Sequence, residues 1–155
     1  MTVPLRTVFL IVLASALTAC WGRQPFQPPL ASFQVWYKPG ASPLQIKKAL
    51  LECGKPHPQG ESSPPKPMRT ANEQAETENC LLAAGYRKPN EYSSWCNLQP
   101  ELPACQPGAS VPTLSAERRL NSDYCRARRD LEFCRRTVSN PSACTPGPVE
   151  PECLP

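Results

Sequence analysis

Residues 42–54 read SPLQIKKALLECG, and almost every position in that stretch has a use in one short amphipathic helix. Ser42 is an N-cap residue, Pro43 has the fixed φ of a first helical position, and Gln45 completes an S-x-x-Q capping box. Ile46, Ala49, Leu50 and Cys53 recur at i, i+3, i+4 and i+7, which is one apolar face, and Gly54 supplies a left-handed stop. The pattern predicts a helix over 43–53 whose last buried position is a cysteine, so that its sulfur stands beside the core.

The same plan recurs downstream. Thr70-Ala71-Asn72-Glu73 is a second capping box; it opens a helix predicted over 71–84 that carries Cys80 in its last turns and stops at Gly85. A third and longest helix is predicted over 115–137, where Leu120, Tyr124, Ala127, Leu131 and Cys134 follow at intervals of four and three, the spacing of a seam against one neighbour. Before the first helix, Phe33, Val35 and Tyr37 alternate with Gln34 and Trp36, which reads as a short extended segment over 33–37. Residues 54–69 hold five prolines and little that is apolar, and are expected to be an exposed irregular loop. Residues 86–112 are loop-rich, with Trp95, Cys96 and Cys105, and 138–155 form a proline-punctuated tail. The fold class is small, mainly α and disulfide-stapled, with long proline-rich loops.

The chain has nine cysteines. Cys20 stands apart, and the other eight, Cys53, Cys80, Cys96, Cys105, Cys125, Cys134, Cys144 and Cys153, form an even set that suits an oxidising compartment. None of their spacings is C-x-x-C and the chain has a single histidine, His57, so no metal site is expected. A catalytic thiol would need a positioned base, and His57 lies between two prolines in what reads as a solvated loop. Cys53 and Cys80 both close the buried end of a capped helix and are predicted to bond; Cys96 with Cys105 is the next choice. Cys125, Cys134, Cys144 and Cys153 then join the third helix to the tail. Nine residues apart, Cys125 and Cys134 fall on opposite sides of a continuous helix and cannot pair there.

The bridges matter because the core is thin. From 33 to 137 only 15 of 105 residues are Leu, Ile, Val or Phe, below the level of about 20% at which disorder becomes a concern. Four disulfides at a typical ~2–4 kcal/mol each are comparable with the whole net stability of a small domain.

The amino-terminal end sets the address. Residues 8–17 (VFLIVLASAL) form an apolar run of ten behind Arg6, too short to cross a hydrocarbon core of about 30 Å and suited to a signal-peptide h-region. The run ends in Leu17-Thr18-Ala19-Cys20. This motif resembles the lipobox of the bacterial lipoprotein class, of the small envelope or prophage-encoded kind, a likeness confined to the first 20 residues that names no activity. It implies export, diacylglyceryl transfer to the Cys20 sulfur, cleavage before Cys20 and acylation of the new amino group, so that several chains make a stable anchor without any protein span. Trp21, where members retained in the inner membrane usually carry Asp, points to the outer membrane. The expected organisation is a signal peptide over 1–19, a lipidated cysteine and proline-rich tether over 20–32, and one helical domain over 33–155.

The net charge of +4 falls to +3 once Arg6 leaves with the leader, too weak a balance to argue for nucleic acid. Position is more telling. Arg118, Arg119, Arg126, Arg128, Arg129, Arg135 and Arg136 all lie on the third predicted helix, against Glu117, Asp123, Asp130 and Glu132. Arginine without lysine favours bidentate contacts to carboxylate or phosphate. The plain alternative is a solvated face with pairs such as Arg126–Asp130 and Arg128–Glu132. No cofactor motif and no catalytic constellation is present, since Glu76 and Glu78 have no supporting base or nucleophile. The expectation is a non-enzymatic lipoprotein of the envelope, binding through the arginine helix an envelope protein or other anionic component. A structural tether between envelope layers is the alternative, ahead of an enzyme acting on the cell wall.

Overall fold

The computed structural model of the chain describes residues 30–60, 68–89 and 93–155. The expected leader, Cys20 and the expected tether up to residue 29 lie outside the described residues, as does part of the loop before the second capping box. Among the described residues seven short α-helices follow in order: α1 (Ser32–Val35), α2 (Pro43–Glu52), α3 (Ala71–Ala83), α4 (Trp95–Leu98), α5 (Ala116–Asn121), α6 (Asp123–Arg129) and α7 (Leu131–Thr137). Four disulfides join them, and the small, mainly α, disulfide-stapled fold is the one expected.

α2 and α3 form as their capping boxes dictate. Ser42 Oγ accepts from Gln45 N while the Gln45 side chain accepts from Ser42 N, and Thr70 and Glu73 repeat the exchange. At their far ends Gly54 and Gly85 take φ of +89° and +85°, the left-handed turn that lets Lys55 N reach back to Leu50 O and Tyr86 N to Leu81 O. The cysteines beside these stops, Cys53 and Cys80, are bonded with Cα atoms 5.7 Å apart. Around this clamp lies an apolar cluster of Ile46, Ala49, Leu50, Leu81 and Tyr86, with Phe33 and Trp36 packed against it.

The extended reading of 33–37 is corrected. Residues 32–35 make one helical turn because Pro58 O and Gln59 O accept Phe33 N and Ser32 N and hold the turn's first amides. That turn sets Phe33 and Trp36, three residues apart, on one face toward the core. Trp36 (φ −87°, ψ 141°) leaves the turn in extended backbone, and Tyr37 forms an antiparallel bridge with Arg87. The loop after α2 is also less exposed than expected: Pro58 is fully buried, and the His57 ring meets the Tyr124 ring edge-on at 4.6 Å.

The third predicted helix is three helices. Ser122 (φ −60°, ψ 146°) and Asp130 (φ −125°, ψ 105°) are extended, and each ends one helix and caps the next, accepting from Cys125 N at 3.2 Å and Phe133 N at 2.9 Å. The capped breaks bend the seam around α2 and the tail: α5 packs on α2, and a 3₁₀ turn at Pro151–Cys153 packs on α2 and α6. Cys125 joins Cys153 and Cys134 joins Cys144, so the cysteines flanking the Asp130 break still do not meet. Cys96 bonds Cys105, and the loop they close is docked on α3, where Asn79 donates to Ala104 O and Asn72 accepts from Ala104 N. The second core is small: Leu51, Tyr124, Cys125 and Cys153, with Val149 against it.

Candidate functional site

The breaks at Ser122 and Asp130 redistribute the seven arginines. Arg119 is buried, 3% exposed; its Nε meets Glu52 Oε1 at 3.0 Å and its Nη1 donates to the carbonyls of Glu152 and Leu154. Arg118 donates to Glu52 O and Thr113 O. Arg128 lies over the Tyr124 ring at 3.4 Å and donates to Tyr124 O, and Arg129 donates to Leu120 O and Cys125 O. Four of the seven therefore close the chain's own carbonyls and do not form a single outward face. Arg118 and Arg129 are exposed although bonded in this way; Arg126, Arg135 and Arg136 are exposed and donate to none of these carbonyls. Arg126 lies over Phe133 at 3.9 Å and within 3.9 Å of Asp123, and Arg136 is 3.9 Å from Glu132. Pairing of Arg126 with Asp130 and Arg128 with Glu132 does not occur, since Asp130 breaks the register that would align them.

Inside the fold lies a polar knot. Glu152 is 1% exposed, and its Oε1 accepts from Tyr124 Oη at 2.7 Å with Lys47 Nζ at 3.7 Å. Burial pushes the Tyr124 hydroxyl up to about 12, helped by its bond to the carboxylate. Burial also raises Glu152, but the Tyr124 hydrogen bond, its own backbone amide, Lys47 and Arg128 outweigh it, and the net direction is down. The proton thus stays on tyrosine and the charge on glutamate. A neutral phenol is a poor base near neutrality, so what the pair does is fasten the tail to α6.

Two of the concave places among the described residues lie beside the groups singled out in the sequence. A cleft of about 670 Å³ runs between α6–α7 and the tail, lined by Ala127, Leu131, Val138 and Val149; Arg128 and Arg129 at its side are already bonded inward. A pocket of about 360 Å³ lies among α1, α3 and α4, with Trp36 and Trp95 on its walls. Glu78, read in the sequence as an unsupported carboxylate, is 5% exposed there. It accepts from Trp95 N at 3.1 Å and pairs with Lys88 Nζ at 2.9 Å. Glu76 instead accepts from Asn72. No local motif marks Glu78, Lys88 and the two tryptophans as neighbours; only the closure of the Cys53–Cys80 and Cys96–Cys105 loops brings them together. Among the described residues, no group of three or more His, Cys, Asp or Glu gathers as a metal site would, and no helix is long and apolar enough to cross a membrane.

No protein-family model matches this sequence, no curated protein is similar to it, and no solved structure matches its fold.

Proposed function

We propose that this chain is a non-enzymatic lipoprotein of the bacterial envelope, anchored in the outer membrane through Cys20, whose stapled domain binds another envelope macromolecule of anionic character. The observation that carries the reading is the cysteine count. Eight of the nine cysteines are consumed in four mutual bridges, which suits an exported chain, and the ninth stands at the end of the lipobox. The exposed guanidinium groups of Arg126, Arg135 and Arg136 support the anionic partner, an acidic protein or another acidic component of the envelope.

Replacing Cys20 with Ser should abolish metabolic acyl labelling and release the protein from the membrane fraction; labelling that persists in the variant sinks the lipoprotein reading. For the partner, crosslinked capture from the native envelope should fall when Arg126, Arg135 and Arg136 are changed to Glu, and should fall likewise at high salt, since exposed attraction is screened within about 8 Å at physiological ionic strength. Capture unmoved by either change would return these arginines to ordinary solvation and favour the tether.

A further inference from the structure

The tryptophan pocket holds neutral polar groups that the fold leaves unused. Its floor is apolar, from Leu50 and Leu81, each 1% exposed. Two half-buried indoles line it, Trp36 at the end of α1 and Trp95 at the start of α4, and so does Gln74, half-buried on α3. Among the described residues, neither indole N–H nor the Gln74 side-chain amide has a hydrogen-bond partner. The charged groups of the lining are all engaged. Lys88 Nζ is 2.9 Å from Glu78 Oε1 and 2.8 Å from Ser93 O, Arg69 donates to Glu73 O and Thr77 Oγ1, and Lys55 is also partnered.

Such a set of groups selects a neutral ligand. An ion entering the pocket would have to displace a partner that one of these charges already has, at the cost of leaving that partner unpaired. A purely apolar ligand would strand the amide and both indole N–H groups. Indole surface suits C–H faces, and the Gln74 amide, with a donor and an acceptor, suits groups that both give and take a hydrogen bond, as hydroxyls do. A run of prolines also packs on aromatic side chains, but it brings only carbonyl acceptors and would leave Gln74 Oε1 unmet. A sugar ring has both the C–H faces and the hydroxyls. The volume of about 360 Å³ lies near the lower end of the ~300–1,000 Å³ range of small-ligand sites. We infer that the pocket between Trp36 and Trp95 is a binding site for a neutral saccharide, a pyranose ring stacked on indole with its hydroxyls bonded to the Gln74 amide. The inference follows from the pocket and does not depend on the lipid anchor or on the arginine segment.

The test is a fluorescence titration of the full chain, in a detergent without a sugar headgroup and with Trp21→Phe so that the signal comes from Trp36 and Trp95. Four probes are compared: neutral chitobiose, neutral maltose, the acidic N-acetylglucosamine–N-acetylmuramic acid disaccharide, and octaproline. At least one neutral disaccharide should give a saturable change whose midpoint does not move between low salt and about 1 M salt, since no charge is in contact. Saturation by chitobiose alone assigns an acetamido glycan, by maltose alone an unsubstituted hexose glycan, and by both a ring read without its substituent. The acidic disaccharide should bind no tighter than chitobiose. Gln74→Leu removes an amide that bonds to nothing in the fold, so it should weaken binding about tenfold, as the loss of one or two hydrogen bonds does, with an unchanged melting temperature. Trp95→Phe should weaken it severalfold. The inference is overturned if neither neutral disaccharide saturates up to about 10 mM, if the acidic one binds about tenfold tighter than they do, if octaproline binds more tightly than either, or if both variants titrate like the parent.

Discussion

The two halves of the molecule are closed by disulfides of nearly the same reach, yet they are filled differently. Cys53–Cys80 spans 27 residues and sits in an apolar cluster of Ile46, Leu50, Leu81 and Tyr86. Cys125–Cys153 spans 28, and around it only Leu51, Tyr124 and Val149 are apolar. The remainder of that half is held by Arg119, Glu52, Tyr124, Glu152 and Lys47. α2 serves both, with Leu50 on one side and Leu51 on the other. A sequence short of large aliphatics can therefore build one ordinary core and finish the second with bonds, at the risk that each buried charge is costly once its partner is removed.

The sharpest way to break this comparison is at Arg119. Arg119→Met keeps the stem but leaves the Glu52 carboxylate and two tail carbonyls without their donor, and breaking a buried pair costs about 3–5 kcal/mol. Leu81→Ala, in the apolar half, is expected to cost about 2–5 kcal/mol by leaving a cavity. Denaturant midpoints measure both, and the distinction lies in a double variant. Arg119→Met with Glu52→Leu should recover much of the first loss, because the unpaired charge is gone. A double variant no better than the single one would show that the tail carbonyls, not Glu52, are what Arg119 holds.

Next in size are the bridges themselves. Loops of 27 and 28 residues lose almost the same unfolded-chain entropy on closure, about 3.5 kcal/mol each. Removing either pair as a double Cys→Ala change should therefore cost alike if the bridges act only on the unfolded chain. The native halves differ, however, so the two variants should part in limited proteolysis. Without Cys53–Cys80 the apolar cluster still packs and cleavage stays global. Without Cys125–Cys153 the tail from 145 to 155 should be cut first, while the first half remains protected. Equal cleavage patterns would mean that the polar knot is as cohesive as the apolar core.

This asymmetry also explains what could be read from the chain. The helices of the first half carry their whole specification locally, in Ser42–Gln45, Thr70–Glu73, Gly54 and Gly85, and the two bridges placed by helix ends and loop length, Cys53–Cys80 and Cys96–Cys105, are the ones formed. In the second half the apolar period of Leu120, Tyr124, Ala127, Leu131 and Cys134 runs through two N-cap residues. The period suggested one helix; Ser122 and Asp130, each able to satisfy an amide three residues on, divide it. The knot was illegible for another reason. Arg119, Glu52 and Glu152 lie 67 and 33 residues apart, and nothing local distinguishes Arg119 from the six other arginines of that stretch. Glu78 and Lys88 in the tryptophan pocket were hidden in the same way.

A smaller effect, with a pH signature, belongs to Tyr124. Tyr124→Phe removes the hydroxyl that Glu152 accepts from, and should cost about 1–3 kcal/mol. Because the folded hydroxyl is raised from the ordinary tyrosine value near 10 to about 12, the native state holds its proton where the unfolded chain loses it. The stabilisation is complete below about pH 10 and is lost as pH rises toward about 12. The parent should show this alkaline loss and the Phe variant should lack it. On the acid side, Glu152 is held below its ordinary range, so its contribution is present above that range and lost as pH falls through the lowered value. That slope should be shallower in the variant.

The smallest effect sets the other end of the scale. Arg136–Glu132 and Arg119–Glu52 are both arginine–glutamate pairs, but the first is 3.9 Å apart with side chains 66% and 82% exposed, and the second 3.0 Å apart with 4% and 16%. Water already solvates each member of the exposed pair, so Arg136→Ala should change stability by no more than about 0.5 kcal/mol. Whatever remains should vanish in about 1 M salt, where the screening length is roughly 3 Å. The loss at Arg119 should persist there, since salt does not reach a buried pair. Chemical denaturation by urea at low and high salt reads both. A salt-insensitive loss at Arg136 would mean that α7 is held by that arginine as the tail is held by Arg119. The exposed arginines that are not bonded to the chain's own carbonyls would then reduce to Arg126 and Arg135, too few to carry the anionic partner proposed for this face.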